Sequence, residues 1–262
     1  MSTVGKAITL LEAFDVQRPE LGLTELAKLV GFDKATTRRL LLSLAQGGLI
    51  EQDEATRLYR LGPATVRFAR IREAHFPFLE SARPFVVALA EQTGETAHLS
   101  EYDSDLLTSI YVEESTQPNR ISVSIGDRFP LHATASGIAY LAFSRPDYAR
   151  TYLARKLDKF SPFTVTDPER LSHMLEETRA RGFSISDQGR AEGVFSVGAP
   201  IVDRDGYAIG ALAVASPLVR VADGTADAHG EAAMLAAQKI SARLSGRAVP
   251  TTARTSPRDK VA

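Results

Sequence analysis

A single glycine, Gly31, separates two short amphipathic stretches near the start of the chain, and few folds tolerate that arrangement. Residues 25–30 form the first stretch, with Thr24 as its N-cap candidate. Asp33 caps the second, Lys34–Gln46, which Gly47-Gly48 stops. Gly31 supplies the positive φ of a tight turn without a Cβ clash, and the small Ala27 lets the two helices cross closely. This is the pattern of a helix-turn-helix. Leu26, Val30, Phe32 and Leu40 fall at its core positions, and Thr37 takes the remaining one, where a branched aliphatic is more usual. Ahead of it, Ile8, Leu11 and Phe14 recur at helical spacing with Ala7 beside them, which predicts a helix over 4–14. Residues 18–22 break the pattern and read as a loop.

The second helix of the pair divides into faces. Thr37, Leu40, Leu41 and Leu44 recur every three or four residues and make the buried stripe, so Lys34, Ala35, Arg38, Arg39 and Ser43 point away. Laid in a major groove, its N-terminal half would offer Lys34, Ala35, Thr36 and Arg38 to base edges, with Arg39 better placed for a phosphate. The same charges would also serve as an ordinary solvated face. What favours nucleic acid is the glycine turn before them and the hairpin after. That hairpin runs over 49–53, turns at Glu54-Ala55-Thr56 and returns over 57–61, making a wing on which Arg57 and Arg60 supply charge for phosphates. With Thr24, these residues complete the expected DNA-contacting set. From Gly62-Pro63, Val66, Ala69 and Ile71 resume helical spacing with Arg67, Arg70 and Arg72 between them, a linker helix broken near Phe76-Pro77.

At roughly 100–200 residues per domain, the 262 residues divide into two. The expected division is a winged helix-turn-helix over 1–62, a linker helix over 63–76, and a second domain over 77–246. Residues 247–262, with two prolines and no apolar period, read as a disordered tail. The net charge of −1 conceals an uneven distribution. Residues 1–72 hold 11 Lys/Arg against 8 Asp/Glu, residues 73–246 hold 16 against 23, and residues 247–262 hold 4 against 1. A basic module joined to an acidic one is a hint of nucleic-acid contact by the first. The absence of cysteine excludes disulfides, thiolate zinc sites, thiol nucleophiles and thiol redox switches. No apolar run approaches the ~18 residues that span a bilayer, and the opening residues lack a signal-peptide pattern. A cytoplasmic protein with no membrane partner is the expectation.

In the second domain, helical stretches fall near 80–92, 134–143, 147–157, 168–181 and 226–245, and strand-like composition at 96–102, 106–112, 120–125, Val194–Val202 and 207–215. Asp203-Arg204-Asp205-Gly206 reads as a hairpin turn. This mixture predicts an α+β fold with an antiparallel sheet. Its most particular segment is Pro130-Leu131-His132-Ala133-Thr134-Ala135-Ser136-Gly137, a run of small residues opening a helix. Small side chains there either expose N–H groups to a carboxylate at the positive helix end, or simply allow tight packing of helix on sheet. Both readings stand on the sequence.

Leu23-Thr24-Glu25-Leu26-Ala27, with Lys34-Ala35-Thr36-Thr37-Arg38-Arg39-Leu40-Leu41, resembles the winged helix-turn-helix of the IclR family of bacterial transcriptional regulators. The 130–137 segment resembles that family's effector-domain motif. Gly198-Ala199-Pro200-Ile201-Val202-Asp203, Gly206 and Gly210-Ala211-Leu212-Ala213-Val214-Ala215-Ser216-Pro217 resemble its closing hairpin. The resemblance spans 4–246. It implies a GAF-like effector domain, a homodimer or dimer of dimers, double-stranded operator DNA and a small carboxylate or aromatic acid as partners, and no cofactor. Carried over by position, it implies a pocket of Ile121, Phe129, Ala135, Ser136, Asp187, Val194 and Ser196. Two positions depart from the family pattern. Ile138 stands where a lysine is frequent, and an acidic cluster is reduced to Asp187, with Ser186, Gln188 and Gly189 around it.

Nothing signals catalysis or a metal. His75, His98, His132, His173 and His229 show neither i,i+4 nor H-x-H spacing. His132, next to the small-residue run, is read as a hydrogen-bonding rather than a general-base histidine. Asp187 has no paired catalytic group, and Ser136 lies outside any nucleophile-elbow pattern. The expectation is a ligand-responsive, DNA-binding regulator of a catabolic or metabolic operon. Its rivals are a metabolite sensor whose main output is contact with the transcription machinery, such as RNA polymerase, and an enzyme with a fused DNA-binding domain.

Overall fold

Where the sequence places its glycine turn, the chain folds three helices and a small sheet about one apolar centre. The computed structural model describes residues 1–15 and 17–246, so the expected tail at 247–262 lies outside the described residues. The chain divides into two units, Met1–Phe78 with Ser124–Gly126, and Leu79–Val123 with the residues from Asp127 onward.

The first unit opens with α1 (Thr3–Leu11), capped by the Ser2 hydroxyl, which accepts from the Gly5 N–H. It ends before the expected Phe14. Ala13 and Phe14 instead close tight turns onto the Leu10 and Leu11 carbonyls. Residues expected as loop contribute β1 (Glu20–Leu21), because Leu21 is buried in register with Tyr59. Then follow α2 (Leu23–Val30), α3 (Lys34–Gln46), β2 (Ile50–Gln52), β3 (Tyr59–Leu61) and α4 (Ala64–His75). The three strands form an antiparallel sheet in the order β1-β3-β2. α2 begins one residue before Thr24. Its N-cap is Gly22, without a side-chain cap bond, and Thr24 sits exposed in the first turn. Gly31 ends the helix at φ 71°, and the Asp33 carboxylate caps α3 by accepting from the Thr36 N–H at 2.8 Å. Leu10, Leu21, Leu26, Leu40, Leu41, Leu44, Ile50 and Tyr59 make the core. Thr37 is fully buried beside them, and its hydroxyl donates to the Asp33 carbonyl at 2.9 Å. A polar residue is tolerated there because its one polar group is satisfied within the helix.

The second unit is built on a six-stranded antiparallel sheet. Its elements are α5 (Phe78–Thr93), β4 (Thr96–Asp103), β5 (Leu106–Glu113), β6 (Arg128–Pro130), α6 (Ala135–Phe143), α7 (Pro146–Leu153), α8 (Pro168–Arg181), β7 (Ser184–Asp187), β8 (Val194–Val202), β9 (Ala208–Pro217) and α9 (Thr225–Leu244). The sheet order is β6-β5-β4-β9-β8-β7. Consecutive residues Ala211–Ala215 of β9 are all at most 4% exposed. Because strand side chains alternate between faces, both faces of the sheet are covered, with α6 and α9 each packing on β8 and β9.

One strand expected from alternation does not form. Residues 120–125 lack ladder pairing, and the edge of β5 is taken by β6 instead. The segment is fastened through single bonds. The Thr96 hydroxyl donates to the Ile121 carbonyl at 2.7 Å, and the Arg220 guanidinium reaches the Asn119 carbonyl. Among the described residues no helix is long and apolar enough to cross a membrane.

Candidate functional site

Two separate surfaces collect the residues singled out above. The first is the N-terminal half of α3. Because Thr37, Leu40, Leu41 and Leu44 are buried, the helical period turns Lys34, Ala35, Arg38 and Arg39 outward, where all are exposed, with Thr36 half-buried between them. The charged groups of Lys34, Arg38 and Arg39 therefore lie on one face of a rigid helix, fixed at its start by the Asp33 cap. Hydrogen bonds from the Thr36 backbone and hydroxyl hold the Asp33 carboxyl below its ordinary pKa.

The wing arranges its two arginines differently. At its tip, Asp53 accepts from the Ala55 and Thr56 N–H groups and from the Thr56 hydroxyl, which fixes the turn. Arg57 follows with φ 61°, and the Gln52 side-chain amide donates to its carbonyl at 2.8 Å. Arg57 is exposed at this braced tip. Arg60 lies back on the sheet, bonding Glu51 at 2.5 Å and Glu20 at 3.1 Å. Of the two wing arginines expected to supply charge for phosphates, Arg60 thus has two carboxylates at its guanidinium, while Arg57 stands at the tip.

The second surface is a cavity of about 340 Å³ in the second unit, lined by Ile121, Phe129, Ala135, Ser136, Val194 and Ser196, six of the seven positions carried over by resemblance. Its roof is the start of α6. Thr134 caps that helix by accepting from the Gly137 N–H at 3.1 Å, while the N–H groups of Ala135 and Ser136 fall in the first turn, where a helix offers no carbonyl of its own. Its floor is the sheet, where the small Ala213 and Ala215 of β9 leave room.

Of the two readings the sequence left open for the small-residue run, the structure shows the close packing. A Cβ at Gly137 would stand 2.7 Å from the Leu131 carbonyl carbon, and one at Gly198 would stand 2.6 Å from that of Ala135. Gly198 therefore sets the close approach of α6 to the sheet and Gly137 that of α6 to the turn at Leu131, while Ala135 and Ser136 line the cavity.

Asp187 does not join the other six. β7 alternates, so Ser184 and Ser186 face inward, where their hydroxyls donate to the Ala135 and Ala133 carbonyls. Asp187 is exposed and borders a different cavity, of about 380 Å³, together with His132, Arg170 and Met174. His132 is thus outside the first cavity as well. Its ring nitrogens meet the Tyr152 hydroxyl at 3.0 Å and the Asp158 carbonyl at 2.8 Å, and burial lowers its pKa.

Sequence reasoning missed His98, Ser122, Val123, Asp127, Thr134, Arg190, Ala191, Ala213 and Ala215 among the cavity-lining residues. Arg190 is carried on the loop after β7, its guanidinium 4.7 Å from the Phe160 ring centre. His98 stands on β4 with its ring 4.9 Å from that of Phe129, and burial pushes its pKa down to about 4. A signal for it existed, since Thr96, His98 and Ser100 share one face of a strand in which Ala97 and Leu99 take the other. Among the described residues no three His, Asp or Glu side chains group as a metal site.

Comparison with known proteins matches both units. Residues 3–54 match the IclR helix-turn-helix domain, and residues 74–242 match the bacterial transcriptional regulator IclR C-terminal domain. The HTH-type transcriptional regulator BhcR of Paracoccus denitrificans is 33% identical over 228 residues, covering 87% of this chain and 82% of that protein. The transcriptional repressor IclR of Escherichia coli is 26% identical over 249 residues, covering 94% and 91%. A crystal structure of an IclR transcriptional regulator from Silicibacter sp. TM1040 superposes with a TM-score of 0.83 at 37% identity, covering 95% of this chain and 98% of that one. An IclR homologue from Microbacterium hydrocarbonoxydans, solved with 4-hydroxybenzoate, has the same fold, with a TM-score of 0.77 at 21% identity over 93% and 99% of the two chains.

Proposed function

The chain belongs to the IclR family of bacterial transcriptional regulators, and from that premise we propose that it binds a near-palindromic operator as a dimer and releases or engages it on sensing a small carboxylate or aromatic acid. The observation that carries this reading is the pairing of two built surfaces in one chain. One is an exposed basic half-helix braced by an N-cap and followed by a wing. The other is a cavity roofed by the first turn of α6. A helix start favours an anion by its exposed N–H groups and its partial positive charge. Arg190 brings a positive charge and Asp127 a negative one to the same lining, and much of the remaining wall is apolar, as suits a short aliphatic or aromatic body.

Modules of 1–62, 63–76 and 77–246 then serve DNA contact, linkage and sensing. Self-association is supported by apolar side chains that α1 and α4 leave exposed, among them Ile8, Val66, Phe68 and Ile71. Exposed large apolar side chains grouped on helices mark contact surfaces. A dimer or a dimer of dimers would double the modest positive charge of residues 1–72. The protein acts in the cytoplasm, on the control region of a catabolic or metabolic operon, without catalysing a reaction.

Gel shift of the full chain on the DNA upstream of its own gene tests the DNA half of the reading. A specific complex weakens as salt rises, and Arg38→Ala costs about 1–3 kcal/mol if that guanidinium reads a base. A complex whose affinity is the same with Arg38→Ala contradicts base readout by α3.

A further inference from the structure

The cavity that Asp187 borders is separate from the one under α6 and has its own chemistry. Its volume of about 380 Å³ falls within the ~300–1,000 Å³ of small-molecule sites. One wall is α8, where Arg170, Met174, Glu177 and Arg181 recur at helical spacing and form one stripe. A second wall is β7, where Ile185 and Asp187 share a strand face. Ile138 and Phe163 add to the apolar lining, and Phe163 keeps 50% of its surface exposed. The charges in this lining are balanced and largely unspent. The side chains of Arg170 and Asp187 have no polar partner among the described residues. The Arg181 guanidinium donates to the Phe183 carbonyl at 2.8 Å, and Glu177 meets the His173 ring at 3.5 Å. Two guanidiniums and two carboxylates therefore line one concavity, and no guanidinium of this set closes on a carboxylate of it. A molecule with a single charge would meet a like charge there as well as an opposite one, whereas a molecule carrying both signs complements both.

We propose that this cavity is a second ligand site and that it takes a free α-amino acid with an apolar side chain. The α-carboxylate belongs to Arg170 and Arg181, whose planar forks match its geometry. The α-ammonium belongs to Glu177 and Asp187, and the side chain lies against Ile138, Phe163, Met174 and Ile185. His132 also lines the cavity, but Tyr152 and Asp158 already engage its two ring nitrogens, so it serves as wall. Residues 132–136 and 186–191 contribute lining to both cavities, yet no residue lines the two together. The second site can therefore be altered without touching the first, and it stands whether or not the cavity under α6 binds an acid.

Calorimetric titration of the full chain with L-leucine and L-phenylalanine tests this. Each is compared with the analogue that lacks the ammonium (isocaproate, hydrocinnamate) and the one that lacks the carboxylate (isoamylamine, phenethylamine). At least one amino acid is expected to bind with a dissociation constant of about 1 mM or below, and its two analogues roughly tenfold or more weakly. The comparison with the acids is repeated in Ser136→Trp, which fills the cavity under α6 and should leave amino-acid affinity within about twofold of the wild type. Arg170→Gln and Asp187→Asn, both at exposed positions, are each expected to weaken amino-acid binding roughly tenfold. In the wild type, the methyl resonances of Met174 and Ile185 should move with the amino acid and those of Ala213 and Ala215 should not, which locates the site even if a variant folds poorly. Failure of both amino acids to bind, movement at the β9 alanines in place of Met174 and Ile185, or an affinity unchanged in both charge variants overturns the second site. An analogue that binds there as tightly as its amino acid overturns the ligand class.

Discussion

Arg57 and Arg60 lie three residues apart on the same wing and differ in what surrounds them. Arg60 is held by Glu51 and Glu20, whereas Arg57 projects from a turn braced by Asp53 and Gln52. Such exposed ion pairs contribute little stability, but they cancel charge at the place a phosphate would need it. Arg57→Ala is therefore expected to weaken DNA binding by about 1 kcal/mol and to lower the salt slope by about one. Arg60→Ala should change either quantity far less, and anisotropy titrations at several salt concentrations compare the two. His98 carries a second expectation. Its pKa in the fold is about 4 against an ordinary 6.5, so the unfolded chain binds the proton more readily. The stabilising effect of a neutral His98 is complete above pH 6.5 and disappears as pH falls towards 4, a loss of about 3 kcal/mol. Burial lowers His132 and His229 in the same sense. Six of the seven tyrosines lie in the second unit, so urea denaturation followed by tyrosine fluorescence reports on it. The transition should weaken from pH 7 to pH 4, and less so in His98→Phe.

Helix α6 and its seat on β8 depend on the absence of a side chain at Gly198, where a Cβ would fall 2.6 Å from the Ala135 carbonyl carbon and 2.8 Å from the Ser136 nitrogen. Gly198→Ala forces the helix start away from the sheet. The expected result is a destabilisation of about 1–3 kcal/mol with loss of acid binding, read together by thermal melts with and without ligand. The elements most legible in sequence were those whose ends carry their own chemistry. Asp33 announces α3 as a capping carboxylate, and Gly31 ends α2 at positive φ; α8 has the same two devices in Asp167 and Gly182, which were not singled out from its helical stretch. Elements defined by pairing were harder to find. β1 exists only because Leu21 meets Tyr59, 38 positions later. Residues 120–125 alternate like a strand and yet find no free edge, and β7 is too short to show its period. That Asp187 borders a different cavity from the other six has a related reason, since its side of β7 is fixed by register, which a single sequence does not display.

Taken whole, the chain's near-zero net charge is the sum of a basic first segment, an acidic second one and a short basic C-terminal stretch, and the two kinds of site fall one in each of the first two. The DNA-facing residues were readable because a helix period and a cap determine which side chains turn outward. The cavity was readable through the family-like small-residue motif at 130–137, but not through His98, Arg190 or the β9 alanines, which reach it from strands and loops distant in sequence. Sensing and DNA contact are coupled only if the acid has different affinities for DNA-competent and DNA-incompetent arrangements of the dimer. That coupling is measured directly by the dissociation constant of the full chain for its upstream DNA, with and without an acid that raises its melting temperature. The expected result is a change of roughly fivefold or more, abolished by Ser136→Trp, which fills the cavity without touching the DNA-facing helix. An identical dissociation constant with and without the bound acid would contradict ligand-responsive regulation.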